Sequence, residues 1–276
     1  MLFRLGLIAR DLRASVTPLV YRAMAADVGV PISYEIRNVE PRDFSRSLAR
    51  ARTEFDGLVV TMPYKRAVLE RADRLDESAR ACGSANVLRI KNKKITAYST
   101  DGWGLVKYLS FEHIGVTGKR VVLLGAGGVA HSIAQQLKER GAAEIDVLDL
   151  LPREAESLCS RFGKRFTPYP LSGAQLAACC DGADLFLNAT SLGQLGCGDF
   201  EDLRFLDSLP DGAAVVDLNY ANPDARLIPA ALARGLRAFD GKGVATCHAL
   251  RAIEIWTGKT PSDEAALDLI RSFGSR

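Results

Sequence analysis

The strongest constraint in this sequence is local: Val121-Val122-Leu123-Leu124 runs straight into Gly125-Ala126-Gly127-Gly128-Val129-Ala130. Four consecutive apolar residues, preceded by Lys119 and Arg120, read as a strand buried on both faces, the kind found at the centre of a parallel sheet. The glycines then leave a turn whose backbone N–H groups are clear of side chains, and a helix is expected from there to Arg140, with Gly141 as its stop. Strand, bare turn and helix N-terminus together make a seat for a pyrophosphate. GxGGxA departs from the commoner GxGxxG and is weak in isolation, its alternative being a tight turn that binds nothing. Its context strengthens it, because the next strand, Ile145–Leu148, ends on the acid Asp149. An acid in that place accepts from both ribose hydroxyls of a dinucleotide and repels a 2′-phosphate. Leu150 and Leu151 bring no cation after it, although Arg153 is near, so the expected cofactor is NAD or NADP, with NAD favoured.

Strand-like apolar runs alternate with helix-period segments along the whole chain, which argues for an α/β fold. At 276 residues two domains are expected. The first third reads as strands near Leu2–Ile8, Ser33–Asn38, Leu58–Thr61, Asn86–Ile90 and Ile95–Ser99. The last two form a hairpin over Lys91–Lys94, which makes this sheet mixed. Helices are expected from Pro18 and near Pro41. Later strands fall near Leu185–Ala189, Ala214–Leu218 and Leu236–Phe239, followed by one helix after Gly243 to Trp256 and another from Pro261. The expected division is a domain over 1–103 with helices 244–276 packing back on it, and a doubly wound dinucleotide domain over 104–243.

Thirty-six Lys and Arg against 33 Asp and Glu leave a scattered excess of +3, which gives no reason to expect nucleic acid as a partner. The apolar stretch from Val121 to Ala130 is too short to span a bilayer, and the N-terminus is broken by Arg4 and Arg10 before a signal core forms. Six cysteines show no CxxC pair or zinc spacing, so no metal is expected and reduced thiols in the cytoplasm are the plain reading. The expected partner is a small molecule, and the expected assembly a monomer or homodimer.

Polar residues of the first third suggest where chemistry lies. Lys65 follows an apolar strand and Pro63, where an ammonium can sit in a cleft and shuttle a proton; the alternative is an ordinary surface lysine. Asp101 is its candidate partner, or a cap of the helix that follows. Ser15 and Thr17 precede Pro18, so one hydroxyl is expected to cap that helix, and the two hydroxyls with the free helix N–H groups also suit a small carboxylate. Asn86 by itself merely starts a strand.

Taken together, these segments resemble the shikimate/quinate dehydrogenase family over nearly the whole chain. Ser15-Val16-Thr17 is similar to its Ser-x-Ser. Gly57, Val60, Thr61, Pro63 and Lys65 match GxNVTxPxK, with Val59 for Asn, and Gly83 and Asn86 match GAxNT, with Ser84 and Val87 as substitutions. Thr100, Asp101 and Gly104 match NTDxxG, with Ser99 for Asn. GAGGxA is complete from Gly125 to Ala130. Asn188, Ala189, Thr190 and Gly193 follow NATxxGM, with Gln194 for Met, and Asp217 and Tyr220 follow DxxY. The closing GxGMLxxQ runs from Gly241 to His248, which replaces the family's Gln. The resemblance implies a substrate domain beside a Rossmann-like domain with the active site in the cleft between them. It implies hydride exchange between a nicotinamide and C3 of shikimate or 3-dehydroshikimate, in shikimate and aromatic amino acid biosynthesis. Lys65 would be the acid/base and Asp101 its orienting partner. Thr61, Asn86 and His248 would grip ring hydroxyls; Ser15, Thr17 and Tyr220 would hold the carboxylate. Gly125, Ala126, Gly127, Gly128, Val129, Asp149, Thr190, Leu218 and Gly241 would bind the cofactor. Where Asp149-Leu150-Leu151 stands, NADP-using members carry Asn-Arg-Thr. Thr17 and His248 also permit a sibling enzyme that prefers quinate; a ligand sensor without catalysis is the reading from another class.

Overall fold

The structure is a computed structural model that describes residues 2–12 and 15–274; Met1, Arg13, Ala14, Ser275 and Arg276 lie outside the described residues, so the ends of the expected domain spans do too. The chain divides into two compact units, residues 1–108 with 245–276, and residues 109–244.

The first unit is built on β1 (Phe3–Ala9), α1 (Thr17–Asp27), β2 (Ile32–Asn38), α2 (Phe44–Glu54), β3 (Gly57–Val60), α3 (Tyr64–Ala67), β4 (Arg74–Leu75), α4 (Glu77–Cys82), β5 (Val87–Lys91), β6 (Lys94–Tyr98) and α5 (Asp101–Phe111). Its sheet runs β2-β1-β3-β5-β6-β4. β1 pairs in parallel with β2 and β3, whereas β5 is antiparallel to both β3 and β6. The β5–β6 hairpin closes through Asn92 and Lys93, both at positive φ, as tight hairpin turns require. Before α2, Pro41–Asp43 forms a separate 3₁₀ turn, so the α-helix proper starts at Phe44 rather than near Pro41. Phe44, Leu48, Leu58, Tyr64, Leu88 and Ile95 are among the buried side chains of the core.

The second unit contains β7 (Arg120–Leu124), α6 (Gly128–Glu139), β8 (Glu144–Asp149), α7 (Pro152–Phe162), β9 (Phe166–Pro170), α8 (Gly173–Cys180), β10 (Leu185–Asn188), β11 (Ala214–Asp217), α9 (Leu227–Leu232) and β12 (Arg237–Phe239). All its strand pairs are parallel, in the order β12-β11-β10-β7-β8-β9. That order reverses between β7 and β10, the switch point at which doubly wound sheets take their ligands. Every residue of β10 and β11 is buried. The register Leu124↔Asn188↔Asp217 brings three strand ends to one sheet edge.

The chain closes with α10 (Gly241–Thr257) and α11 (Asp263–Ser272). α10 begins at Gly241, ahead of the expected start after Gly243. A Cβ at 241 would lie 2.1 Å from Leu218 O, so this glycine lets the helix start pass close to the loop after β11. Within the first unit, α10 is fixed by Trp256, whose Nε1 donates to Leu88 O at 2.9 Å over Gly57. It also meets Gly104, where a Cβ would come within 2.7 Å of His248 N. These two glycines hold His248 against α5.

Candidate active site

In the first unit, β3 ends in a loop that carries Thr61 and leads to Lys65 on α3, and Lys65 O accepts from Ala85 N at 2.8 Å. That bond ties the loop to the segment entering β5, whose own Asn86 bridges β3 and β6 through its main chain. Lys65 Nζ donates to Asp101 Oδ2 at 2.6 Å. Asp101 stands at the first position of α5, and its other oxygen accepts from Asn86 Nδ2 at 2.9 Å. Asn86 also donates to Thr100 Oγ1 and accepts from Thr100 N at 2.7 Å. Both N–H bonds of the Asn86 amide are thus committed, and its oxygen also lies 3.3 Å from Thr100 Oγ1, so this side chain is held within the network on both its ends. Asn86, Thr100 and Asp101 are all buried, and the Lys65 and Asp101 side chains retain 16% and 10% exposure. An ammonium and a carboxylate so held, largely hidden from bulk water yet not sealed off, have the geometry that proton transfer to a ligand requires.

A second polar group of this unit surrounds the start of α1. The expected hydroxyl cap is not found: the N-cap position is Val16, with no side-chain cap bond. Ser15 Oγ instead accepts from Thr17 N at 3.1 Å and lies 2.8 Å from Thr17 Oγ1, so the two hydroxyls bond each other. Pro18 already sets the first turn, which lowers the need for a cap. Tyr34 on β2 adds a third hydroxyl, donating to Thr17 Oγ1 at 3.2 Å. Tyr34 stacks on Tyr21 with ring centroids 5.3 Å apart, and the Tyr21 hydroxyl lies 3.3 Å from His248 Nδ1. Burial pushes the His248 pKa down to about 4; Asp101 pulls it up and Lys65 down, so these groups share one electrostatic neighbourhood. In the sequence Thr100 is only a motif match with no role, and neither Tyr21 nor Tyr34 is singled out. Tyr21 had a signal, since it follows Thr17 by four residues and shares its helix face.

In the second unit, Gly125 has φ +101°, and a Cβ there would come within 3.0 Å of the Ala189 carbonyl oxygen. Gly127 is the N-cap of α6, and a Cβ on it would meet no heavy atom within 4 Å, so its surroundings are open. Ala126 is buried behind the turn, and Gly128 and Val129 open the helix. This bare N-terminus fits a pyrophosphate. Asp149 braces the same turn: one carboxylate oxygen accepts from Ala126 N at 2.7 Å, the other from Leu151 N at 2.8 Å. Leu150 and Leu151 beyond it are 78% and 62% exposed. Asn188 Oδ1 accepts from Thr190 Oγ1 at 2.6 Å, and Asn188 Nδ2 donates to Asp217 Oδ1 at 2.9 Å. Asn219 donates to that same oxygen through N and Nδ2. Burial raises the Asp217 pKa to about 6. Leu218 and Tyr220 continue this loop. Thus Lys65, Asp101, Asn86, Thr61, Ser15, Thr17 and His248 belong to the first unit, and Tyr220 to the second with the nucleotide candidates. Among the described residues no cluster of three or more His, Cys, Asp or Glu could hold a metal ion, and no helix is long and apolar enough to cross a membrane.

Two family models match the chain: "Shikimate dehydrogenase substrate binding domain" over residues 7–88 and "Shikimate / quinate 5-dehydrogenase" over residues 109–204. The NADP(+) shikimate dehydrogenase of Rhizobium meliloti strain 1021 is 35% identical over 93% of this chain and 90% of its own length. The shikimate 5-dehydrogenase of Thermus thermophilus, solved with NADP(H) and shikimate, is 25% identical with a TM-score of 0.85, covering 98% of this chain and 99% of that one. The 5-ketofructose reductase of Gluconobacter sp. strain CHM43, solved without ligand, is 26% identical with a TM-score of 0.80, covering 99% of each chain.

Proposed function

The chain belongs to the shikimate/quinate dehydrogenase family, and from that premise we propose that it catalyses the reversible, nicotinamide-dinucleotide-dependent reduction of 3-dehydroshikimate to shikimate. The observation that carries this reading is the 2.6 Å pair between Lys65 Nζ and Asp101 Oδ2. Reduction of a carbonyl needs a proton delivered to its oxygen, and oxidation of the alcohol needs that proton removed. Lys65 delivers it as an ammonium and recovers it as an amine. Asp101 aims the ammonium, stabilises its charge and accepts from the substrate hydroxyl. Asn86 locks the Asp101 carboxylate and, with Thr61 and His248, faces the ring hydroxyls. Ser15, Thr17 and Tyr220 hold the substrate carboxylate, which decides the face of the ring that is presented. A bound nicotinamide dinucleotide supplies the hydride donor or acceptor.

The glycine turn from Gly125 to Val129, with Thr190, Leu218 and Gly241, holds that cofactor, and NAD is preferred over NADP. Support comes from Asp149: its carboxylate lies against the turn, where a 2′-phosphate would meet a negative charge and two exposed leucines in place of a cation. On this point the chain diverges from relatives named for NADP(+). A second reading, a quinate-preferring sibling, is favoured by the replacement of the family's Gln by His248 and its second Ser by Thr17, both of which alter ring recognition. Initial rates on shikimate and quinate, each with NAD and NADP, separate these readings. NAD with shikimate is expected to give the highest kcat/KM. No nucleotide absorbance change with any ring acid would overturn the enzymatic reading, and a higher kcat/KM with NADP would overturn the part assigned to Asp149.

A further inference from the structure

We propose that Tyr21 is a positioning residue: through its hydrogen bond to Nδ1 it fixes His248 as a donor-only group, with the Nε2–H bond directed to a ligand oxygen, and this sets the ring specificity of the site. The proposal deepens the dehydrogenase reading and rests on it for its kinetic consequences, but the hydrogen-bond arrangement stands on the geometry of the contact and the acidities of its two groups.

Tyr21 is fully buried and its ring is held on two sides, stacked on Tyr34 at 5.3 Å and tilted against Trp256 at 5.3 Å. Its hydroxyl therefore has little freedom to leave the 3.3 Å contact with His248 Nδ1. Two arrangements satisfy that contact. Either the phenol donates to a bare Nδ1, or an Nδ1–H donates to the phenol oxygen. The first is strongly preferred on acid–base grounds. A phenol is much more acidic than a neutral imidazole N–H, and an imidazole nitrogen is a far better base than a phenol oxygen. Burial keeps the ring neutral at physiological pH, so it carries one proton only. With Nδ1 occupied as acceptor, that proton is on Nε2. Among the described residues Tyr21 is the side-chain hydrogen-bond partner of the ring, at Nδ1, and His248 at 8% exposure is not wholly enclosed, which leaves the Nε2 edge for a ligand.

The consequence is chemical. The glutamine that the family carries here offers a ligand both a donor and an acceptor, enough to satisfy a hydroxyl in either sense. His248 held by Tyr21 offers a donor alone. It donates to a hydroxyl or a carbonyl oxygen alike, and leaves a hydroxyl proton to find its acceptor elsewhere, on Asp101. Tyr21 thus acts on the substrate without touching it.

The test begins with the wild-type chain. Its only histidines are His113, His131 and His248, so ring-¹⁵N labelling gives three patterns in long-range proton–nitrogen correlation spectra, and His248→Gln assigns the missing one. The expected pattern for His248 is neutral with the proton on Nε2 from about pH 6 to 8. A proton on Nδ1 overturns the proposal without any turnover measurement. Tyr21→Phe removes the hydroxyl alone; it is expected to convert that pattern to a tautomer mixture and to raise the KM for the ring acid about tenfold, with kcat within about twofold. In the His248→Gln background Tyr21→Phe is expected to leave KM unchanged. An equal KM rise in both backgrounds would mean Tyr21 serves packing only and would overturn the proposal. Should the wild-type chain turn over no ring acid, the dehydrogenase reading fails while the nitrogen pattern still decides this one.

Discussion

Asp101 in the first unit and Asp217 in the second are both buried, at 8% and 1% exposure, and they are satisfied by opposite means. Asp101 faces an ammonium at 2.6 Å and one amide N–H. Asp217 faces amides only, and all three donors converge on its Oδ1. A carboxylate next to a lysine can trade a proton or a charge with a ligand, because both partners are ionisable and their charges cancel in the resting state. A carboxylate held by neutral donors is left with the cost of its own burial, and this raises its pKa to about 6. The first arrangement suits chemistry. The second suits a rigid loop: Asn188 also binds Thr190 and Leu192 O, and Asn219 binds the same turn through Thr190 O. The two acids therefore differ in what their removal should do.

Removing Lys65 breaks the comparison hardest. Lys65→Ala is expected to lower kcat by about 10²–10⁴-fold, the range for a lost general acid/base, with KM for shikimate changed only a few-fold. Steady-state rates at saturating NAD check this. A variant that keeps more than about a tenth of the wild-type kcat would mean that the proton takes another route and that Lys65 is only a counter-ion for Asp101.

Next in size is the response of Asp217 to pH. Its pKa stands at about 6 in the folded chain against 3.8 as the ordinary value. Between these limits the folded state keeps a proton that the unfolded state has released. The stability this confers is whole below about pH 4 and is lost as pH rises through about 6. Asp217→Asn keeps a carbonyl oxygen in the Oδ1 position and cannot ionise. Relative to wild type at each pH, the variant should therefore gain stability from pH 4 to 7, by up to about 3 kcal/mol, as about two pKa units imply. His248 works in the reverse sense. Its depressed pKa makes stability fall as pH drops from 6.5 towards 4, so wild type alone would show a flattened profile, and the difference between the chains isolates Asp217. A difference in denaturant midpoint that stays constant across this range would sink the assignment.

The same contrast explains what the sequence reveals. The parallel sheet is legible because strands buried on both faces are continuous apolar runs, as in Val121–Leu124 and Ala214–Val216, and because the glycine turn follows Val121–Leu124 directly. β9 is hidden: Phe166–Pro170 contains two prolines, tolerated because it is an edge strand paired to β8 alone. β4 has only two residues and no pattern to read. Gly243 reads as the boundary of the helix that runs to Trp256, but the glycine with a structural demand on it is Gly241, and that demand comes from the Leu218 carbonyl, distant in sequence. Lys65 and Asp101 could be named because local motifs carry them. The Tyr21–His248 contact joins residues 227 positions apart, and no local pattern encodes it. Likewise Ser15 and Thr17 looked like helix caps, and only the folded chain turns their hydroxyls towards each other.

The smallest expected effect comes from matched deletions of the two asparagines. Asn86→Ala strips the Thr100 N–H and the Asp101 carboxylate of a partner; Asn188→Ala strips Asp217 of one donor and Thr190 of its acceptor. Each should cost about 1–3 kcal/mol, the penalty for leaving a buried polar group unsatisfied. Their pH dependence should differ. The Asn86→Ala deficit, at a carboxylate that keeps its ion pair with Lys65, is the reference. The amide of Asn188 holds the Asp217 pKa down, so its loss should push that pKa further up, and the Asn188→Ala deficit should grow as pH rises through 6 and beyond. Urea midpoints at pH 5 and pH 8 for both variants measure this directly. Two deficits that rise in parallel would mean that Lys65 does not neutralise Asp101, and the distinction between a carboxylate held for chemistry and one held for shape would fall.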